Sequence, residues 1–192
     1  LVSQGVNGPV VFSVANGIYT EQITIPEITG ASAVNTITFQ SASGDSASVV
    51  LTYNSTVSTS NFTLKLNNSD YIKLKKMTLQ SLGVSYGRII ELDGTTTNIL
   101  IESCRFLGNN NLTYYNDNAL IFSYQDPTDQ VTIQKNYFFK GAYGIFFQGV
   151  SSTVYSTGTK ILSNVFSDQY QFGVYLYYQT APLVNSNSIQ IS

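Results

Sequence analysis

The chain has no histidine and no tryptophan, and only one cysteine and one methionine in 192 residues. Without histidine, a Ser-His-Asp arrangement is excluded, and without histidine or a second cysteine so are the usual zinc ligand sets. The lone Cys104 cannot close an intrachain disulfide or form a CxxC motif, and a small buried apolar role is expected of it. Charge is also scarce, at 10% of residues against roughly 25% in an average soluble domain. The formal net charge is −2, and no cluster of Lys and Arg supplies the basic footprint that nucleic acid requires. No apolar run approaches the ~20 residues that a membrane-crossing helix needs. No glycine-rich phosphate loop is present either.

What is abundant is strand-forming material. Tyr occurs 14 times and Phe 11 times, and Ser, Thr and Asn fill most polar positions, a mixture that favours strands over helices. No long segment has helical periodicity.

A short motif recurs five times: an aliphatic residue, three positions on an Asn, Cys or Met, then two further on a large apolar residue. It reads Leu74-Met77-Leu79, Ile101-Cys104-Phe106, Ile133-Asn136-Phe138, Ile161-Asn164-Phe166 and Val184-Asn187-Ile189. Successive copies begin 27, 32, 28 and 23 residues apart. Such a period, with variable loops between strand-like copies, indicates a solenoid whose repeats each bury a face against the next. The Asn interrupts a period-two alternation, so a bend between two short strands is expected there, with the Asn itself accommodating the turn. Coils stacked about 4.8 Å apart then place Asn136, Asn164 and Asn187 in a hydrogen-bonded ladder, extended by Cys104 and Met77 as apolar steps.

A further strand aligns between copies: Arg88–Leu92, Ala119–Ser123, Gly144–Gln148 and Gly173–Tyr177. Its inward pairs are expected to be Ile90/Leu92, Leu120/Phe122, Ile145/Phe147 and Val174/Leu176. The outward columns on that strand are then Lys65, Glu91, Ile121, Phe146, Tyr175 and Asp93, Ser123, Gln148, Tyr177. Before the bend the outward column runs Lys75, Glu102, Gln134, Leu162, Asn185; after it, Thr78, Arg105, Tyr137, Val165, Ser188. Lys73 and Lys75 project from one strand with Lys76 at the bend, as a solvated face that discourages edge pairing. A β-sandwich would predict tight hairpin turns, and Asn-Gly occurs only at Asn7-Gly8 and Asn16-Gly17. The expected fold is therefore all-β, a single-stranded parallel β-helix of about six coils forming one domain over residues 1–192.

The opening stretch Gly17–Ile25, preceded by Val10–Val14 and followed by Thr36–Gln40, resembles the first coil of pectin-lyase-like proteins. The later Asn-containing copies are similar to right-handed parallel β-helix repeats, and the combination resembles repeat segments of large secreted or surface proteins of bacteria. That resemblance implies an extracellular or cell-surface location and an internal piece of a longer chain, with Leu1–Val6 as the remnant of a capping helix. Cut ends of a solenoid expose strand edges, so end-to-end self-association is expected.

The same fold carries lyases, hydrolases, esterases and non-catalytic adhesins. For a polysaccharide lyase acting on acidic glycans, the resemblance implies a basic residue beside acidic calcium ligands, and Lys65 with Glu91 and Asp93 is the nearest constellation, with Arg88 and Asp117 nearby. A Lys65–Glu91 ion pair on a solvated face accounts for the same residues, and no cofactor is expected under that reading. The polygalacturonase pattern fails for want of histidine and paired aspartates. The esterase Asp-x-x-Phe-Gly pattern fails at Asn118–Phe122, which lacks the Asp. The preferred expectation is a non-catalytic structural or adhesin-like segment, with Phe146, Gln148, Tyr175 and Tyr177 as candidate polysaccharide-binding residues and Tyr170 and Tyr178 close by. A purely architectural Tyr-rich sheet surface, or rings covered by a loop such as Gly149–Gly158, accounts for the same residues and ranks ahead of binding. Asn54, Asn61, Asn67 and Asn111 lie in Asn-x-Ser/Thr contexts, which a chain rich in these residues produces by chance.

Overall fold

The computed structural model describes residues 1–110 and 115–191. Every paired strand runs parallel to its neighbour, and the strands gather into three long sheets of seven, seven and six strands. The sheet before the Asn bend runs from Val10–Val14 through Ile72–Lys75 to Leu183–Asn185, and the sheet after it from Gly17–Thr20 through Thr78–Ser81 to Ser188–Gln190. The third sheet comprises Ile23–Pro26, Leu64–Asn67, Ile90–Asp93, Ala119–Tyr124, Tyr143–Gln148 and Phe172–Tyr177. The chain visits the three sheets in turn, completing six coils and starting another. This is the right-handed parallel β-helix that the repeat implies.

Like residues stack on like. Phe106, Phe138 and Phe166 are fully buried, and their rings lie face to face at centroid separations of 4.7 Å, the strand spacing itself. Leu79 and Ile189 continue that column at either end. On the adjoining sheet Leu74, Ile101, Ile133, Ile161 and Val184 are in register. The columns predicted on both sides of the bend are all present, including Lys75–Glu102–Gln134–Leu162–Asn185 and Thr78–Arg105–Tyr137–Val165–Ser188.

The ladder at the bend is a hydrogen-bond chain through the interior. The Asn136 amide donates to Ile101 O at 3.0 Å and to Asn164 Oδ1 at 3.0 Å, while Asn136 N–H donates to the same Oδ1 at 2.9 Å. Asn164 repeats the pattern with Ile133 O at 2.9 Å and Asn187 Oδ1 at 3.0 Å. Cys104 N–H donates to Asn136 Oδ1 at 2.8 Å, so the ladder passes to an apolar step without an orphaned acceptor. Burial pushes the Cys104 thiol up to about 12, which leaves it an inert core group.

The bend differs from expectation in one respect. The Asn does not make the turn; the residue before it does. Lys76, Ser103, Lys135, Ser163 and Ser186 all take left-handed backbone conformations, with φ between 52° and 57°. That geometry costs a non-glycine residue about 1–2 kcal/mol, and at the four bends from Ser103 onward the ladder bonds made by the next residue offset it.

Two further corrections concern strand register and the N-terminus. Leu120 and Ile121 both belong to the main core, so alternation skips a step between them. Ile121 pairs with Ile90 and Ile145, and Phe122 with Glu91 and Phe146. Phe122 therefore faces out and Ser123 faces in, the reverse of the expected order, and Ser123 Oγ shares a buried hydrogen bond of 2.7 Å with Thr128. Residues 1–6 hold a single turn closed by Gly5 N–H on Leu1 O at 2.7 Å, not a helix.

Because Phe138 is sandwiched between two other rings with no exposed surface, Phe138→Ala is expected to cost about 3–5 kcal/mol in a denaturant titration. A loss below about 1 kcal/mol would show that the ring column does not carry the coil stacking.

Candidate functional site: the outward face of the third sheet

The third sheet presents two outward columns. One runs Thr24, Lys65, Glu91, Phe122, Phe146, Tyr175, and the other Pro26, Asn67, Asp93, then Tyr124, Gln148, Tyr177. Both change character midway: the early coils carry charge and the later ones carry rings.

In the charged half, Lys65 Nζ lies 3.3 Å from Glu91 and 3.2 Å from Asp93, and 4.9 Å above the Phe62 ring. Arg88 is more tightly held. Its guanidinium lies 3.5 Å from the centroid of Phe122, 3.1 Å from Asp117 and 3.9 Å from Glu91, and donates to Asn116 O at 3.3 Å. Burial lowers the Arg88 pKa, and the charges of Glu91 and Asp117 oppose that shift. The two cations are thus consumed by the local carboxylates and rings. Lys65 Nζ donates to Asp93 Oδ2 and pairs with Glu91, so both partners compete with any substrate proton for it.

Glu91 and Asp93 fit calcium poorly, because each already faces the Lys65 ammonium and calcium requires six to eight oxygens. Among the described residues, no group of three or more Asp, Glu, Cys or His is placed to hold a metal ion. The sequence reading missed a third carboxylate here, Asp126. It lies in the turn after Ala119–Tyr124 and accepts the Gly94 N–H. Burial, then the neighbouring Asp93 and Glu91, raise its pKa, with the Gly94 bond and Lys65 partly opposing. Its one sequence signal is the turn-forming Gln125-Asp126-Pro127, which shows a turn and not its destination.

In the aromatic half, Phe146 stacks between Phe122 at 5.5 Å and Tyr175 at 4.6 Å, and Tyr143 packs edge-on to Phe146 at 5.2 Å. These rings, with Ala119 and Ala142, form a second small core on the outside of the coil. Phe146 faces out as expected, yet only 7% of it is exposed, and Tyr175 is half-buried. Phe146 offers no free face, whereas Tyr175, on the last strand of the sheet, has one face on Phe146 and no further coil over the other. In the second column Tyr124 is 42% exposed and Tyr177 46%, and Phe172, at the start of the strand that carries Tyr177, is 50% exposed. Tyr178 lies 3.9 Å from Tyr177, and Tyr155, from the loop after Tyr143–Gln148, meets Tyr178 edge-on at 6.1 Å. Sequence reasoning missed Tyr124 because the register skip at Leu120–Ile121 assigned its place to Ser123.

The remaining candidates are structural. Lys75 pairs with Glu102 at 3.1 Å, and this hydrogen bond, ahead of one from Gln134, holds the Glu102 carboxyl below its ordinary range. Asn61 is buried, and its amide donates to Asp117 O at 2.9 Å; Asn111 lies outside the described residues. No helix is long and apolar enough to cross a membrane among the described residues.

Comparison with known protein families gives no match, and comparison with curated proteins gives none. Among solved structures, the chain is similar to a pectin methylesterase from Yersinia enterocolitica, with a TM-score of 0.53 at 11% identity. The superposition covers 96% of this chain and 61% of the esterase, so the chain spans less than two thirds of that protein's length. At this identity the likeness establishes the pectin-lyase-like β-helix fold.

Asp126 yields a pH prediction. Its folded carboxyl holds its proton to higher pH than the unfolded one, so stability is lost as pH rises from the ordinary carboxyl range through the folded value. Asp126→Asn keeps an acceptor for Gly94 and removes that loss. Thermal unfolding between about pH 3 and pH 7 is expected to show the variant gaining on the parent as pH rises; a constant difference would contradict the assignment.

Proposed function

We propose that this chain is a non-catalytic segment of an exported or cell-surface protein, and that it binds polysaccharide along the outward face of its third sheet. The observation that carries the reading is the column Tyr124–Gln148–Tyr177, two exposed rings with an amide between them on a rigid parallel sheet. The two rings stand two coils apart, about 9.6 Å, a span comparable to a disaccharide. Tyrosine faces stack on the apolar faces of sugars while their hydroxyls bond to the rim. The Gln148 amide offers both a donor and an acceptor at the midpoint. The strands beneath Tyr124 and Gln148 are bonded to coils on both sides and the strand beneath Tyr177 to one, so little ordering entropy remains to oppose binding.

An enzymatic reading has less support. The lyase base candidate, Lys65, is engaged by Glu91 and Asp93, and the accessible rings lie on later coils than this charged group. A supporting role through shape alone is the alternative that binding assays separate.

The test is a glycan array followed by affinity electrophoresis on the hits. Replacing both Tyr124 and Tyr177 by Ala is expected to weaken retention about tenfold or more, with no shortened or de-esterified product released by the parent protein. Unchanged retention in the double variant would overturn the reading. Product formation abolished by Lys65→Ala would replace it with the lyase reading.

A further inference from the structure

The charged half of the face and the aromatic half share the same two columns, so a chain lying over the rings meets the carboxylates next. Asp93 sits one coil before Tyr124 in one column, and Glu91 pairs directly with Phe122 in the other. Asp126 joins them from the adjoining turn, and Asp117 flanks Arg88. Against these four carboxylates stand two cations, Lys65 and Arg88, so the formal local charge is −2. Neither cation is available to a ligand: Lys65 is shared between Glu91 and Asp93, and Arg88 is pressed onto Phe122 and paired with Asp117. No cation lies on the outward columns of the three coils that carry the rings.

We infer that the aromatic column selects polysaccharides without carboxylate groups and rejects polyuronates, the juxtaposed acidic patch being its specificity element. The inference rests on the polysaccharide-binding reading and narrows it to a ligand class. Its physical basis is like-charge repulsion at the end of the binding face, which discriminates against a wrong partner at little cost to the right one. The Asp126 carboxyl is raised first by burial and then by the charges of Asp93 and Glu91, so the crowding of negative charge is felt within the protein as well. A carboxylate-bearing chain would bring more negative charge to a patch whose two cations are already paired.

Affinity electrophoresis of the whole chain separates the outcomes. Gels would contain galactomannan, xyloglucan or hydroxyethyl cellulose in one set, and polygalacturonate, alginate or carboxymethyl cellulose in the other. The expected result is retardation by at least one uncharged polymer, sensitive to the Tyr124→Ala/Tyr177→Ala pair, with acidic polymers bound about tenfold more weakly or not at all at low salt. Raising salt to about 0.5 M screens the patch and is expected to narrow that ratio. The double variant Asp93→Asn/Asp126→Asn is expected to raise retention by carboxymethyl cellulose. Tyrosine-dependent binding of acidic polymers that equals or exceeds that of uncharged ones would overturn the selectivity and leave the binding site standing. Absence of retention by every polymer would overturn the binding reading, and the selectivity with it.

Discussion

Each coil lies parallel and in register on the one before it, and that single constraint generates the rest of the molecule. Parallel register places every side chain above its counterpart, so an inward position must hold compatible residues coil after coil. Rings stack on rings through Phe106, Phe138 and Phe166, and aliphatic residues stack on aliphatic residues from Leu74 to Val184. Where a polar group must enter, it can enter only as a ladder. Asn136 and Asn164 each reach a carbonyl on the coil before and an amide oxygen on the coil after, so one side chain ties three coils together. A solitary Asn at that position would leave buried donors and acceptors unpaired, at about 1–3 kcal/mol each.

The same register governs the outer surface, where it has functional consequences instead of energetic ones. An outward column is a line of equivalent positions at strand spacing, and its chemistry changes only where the sequence changes. Here the third sheet passes from Lys65, Glu91 and Asp93 on two successive coils to Phe122, Tyr124, Phe146 and Tyr177 on the next three. The inner aromatic column is sealed into a second small core by Tyr143 and Ala142, which stiffens the sheet edge beneath the exposed tyrosines. Arg88 links the halves, lying on Phe122 while paired with Asp117. The face is thus both a packed structure and an accessible one, the two roles divided between adjacent columns.

Much of this is legible in the sequence because a solenoid repeats its local rules. The spacing of Ile133-Asn136-Phe138 and its copies reveals the coil, the bend and the two outward columns beside it. What fails to show is whatever departs from strict alternation or comes from a loop. Leu120 and Ile121 are both apolar and both buried, and nothing in their identity says that two neighbours face the same way. That slip displaced Phe122 and Tyr124 and with them half of the candidate site. Asp126 arrives from a turn, so no period predicts it, and the burial of Phe146 depends on flanking residues outside its own strand. At the bend, the left-handed residues are Lys and Ser rather than Gly, so the composition carries no mark of the backbone geometry that the ladder supports.

The side-chain carboxamide protons of Asn136 and Asn164 report on coil stacking more directly than any other group, because each is shared between successive coils and shielded from water. Hydrogen exchange followed by NMR on selectively labelled Asn tests them. The account predicts exchange only through global opening, with the two carboxamides as protected as the backbone amides of Cys104 and Asn136. Exchange at the rate of a solvent-exposed carboxamide would contradict the ladder and, with it, the stacking of the coils.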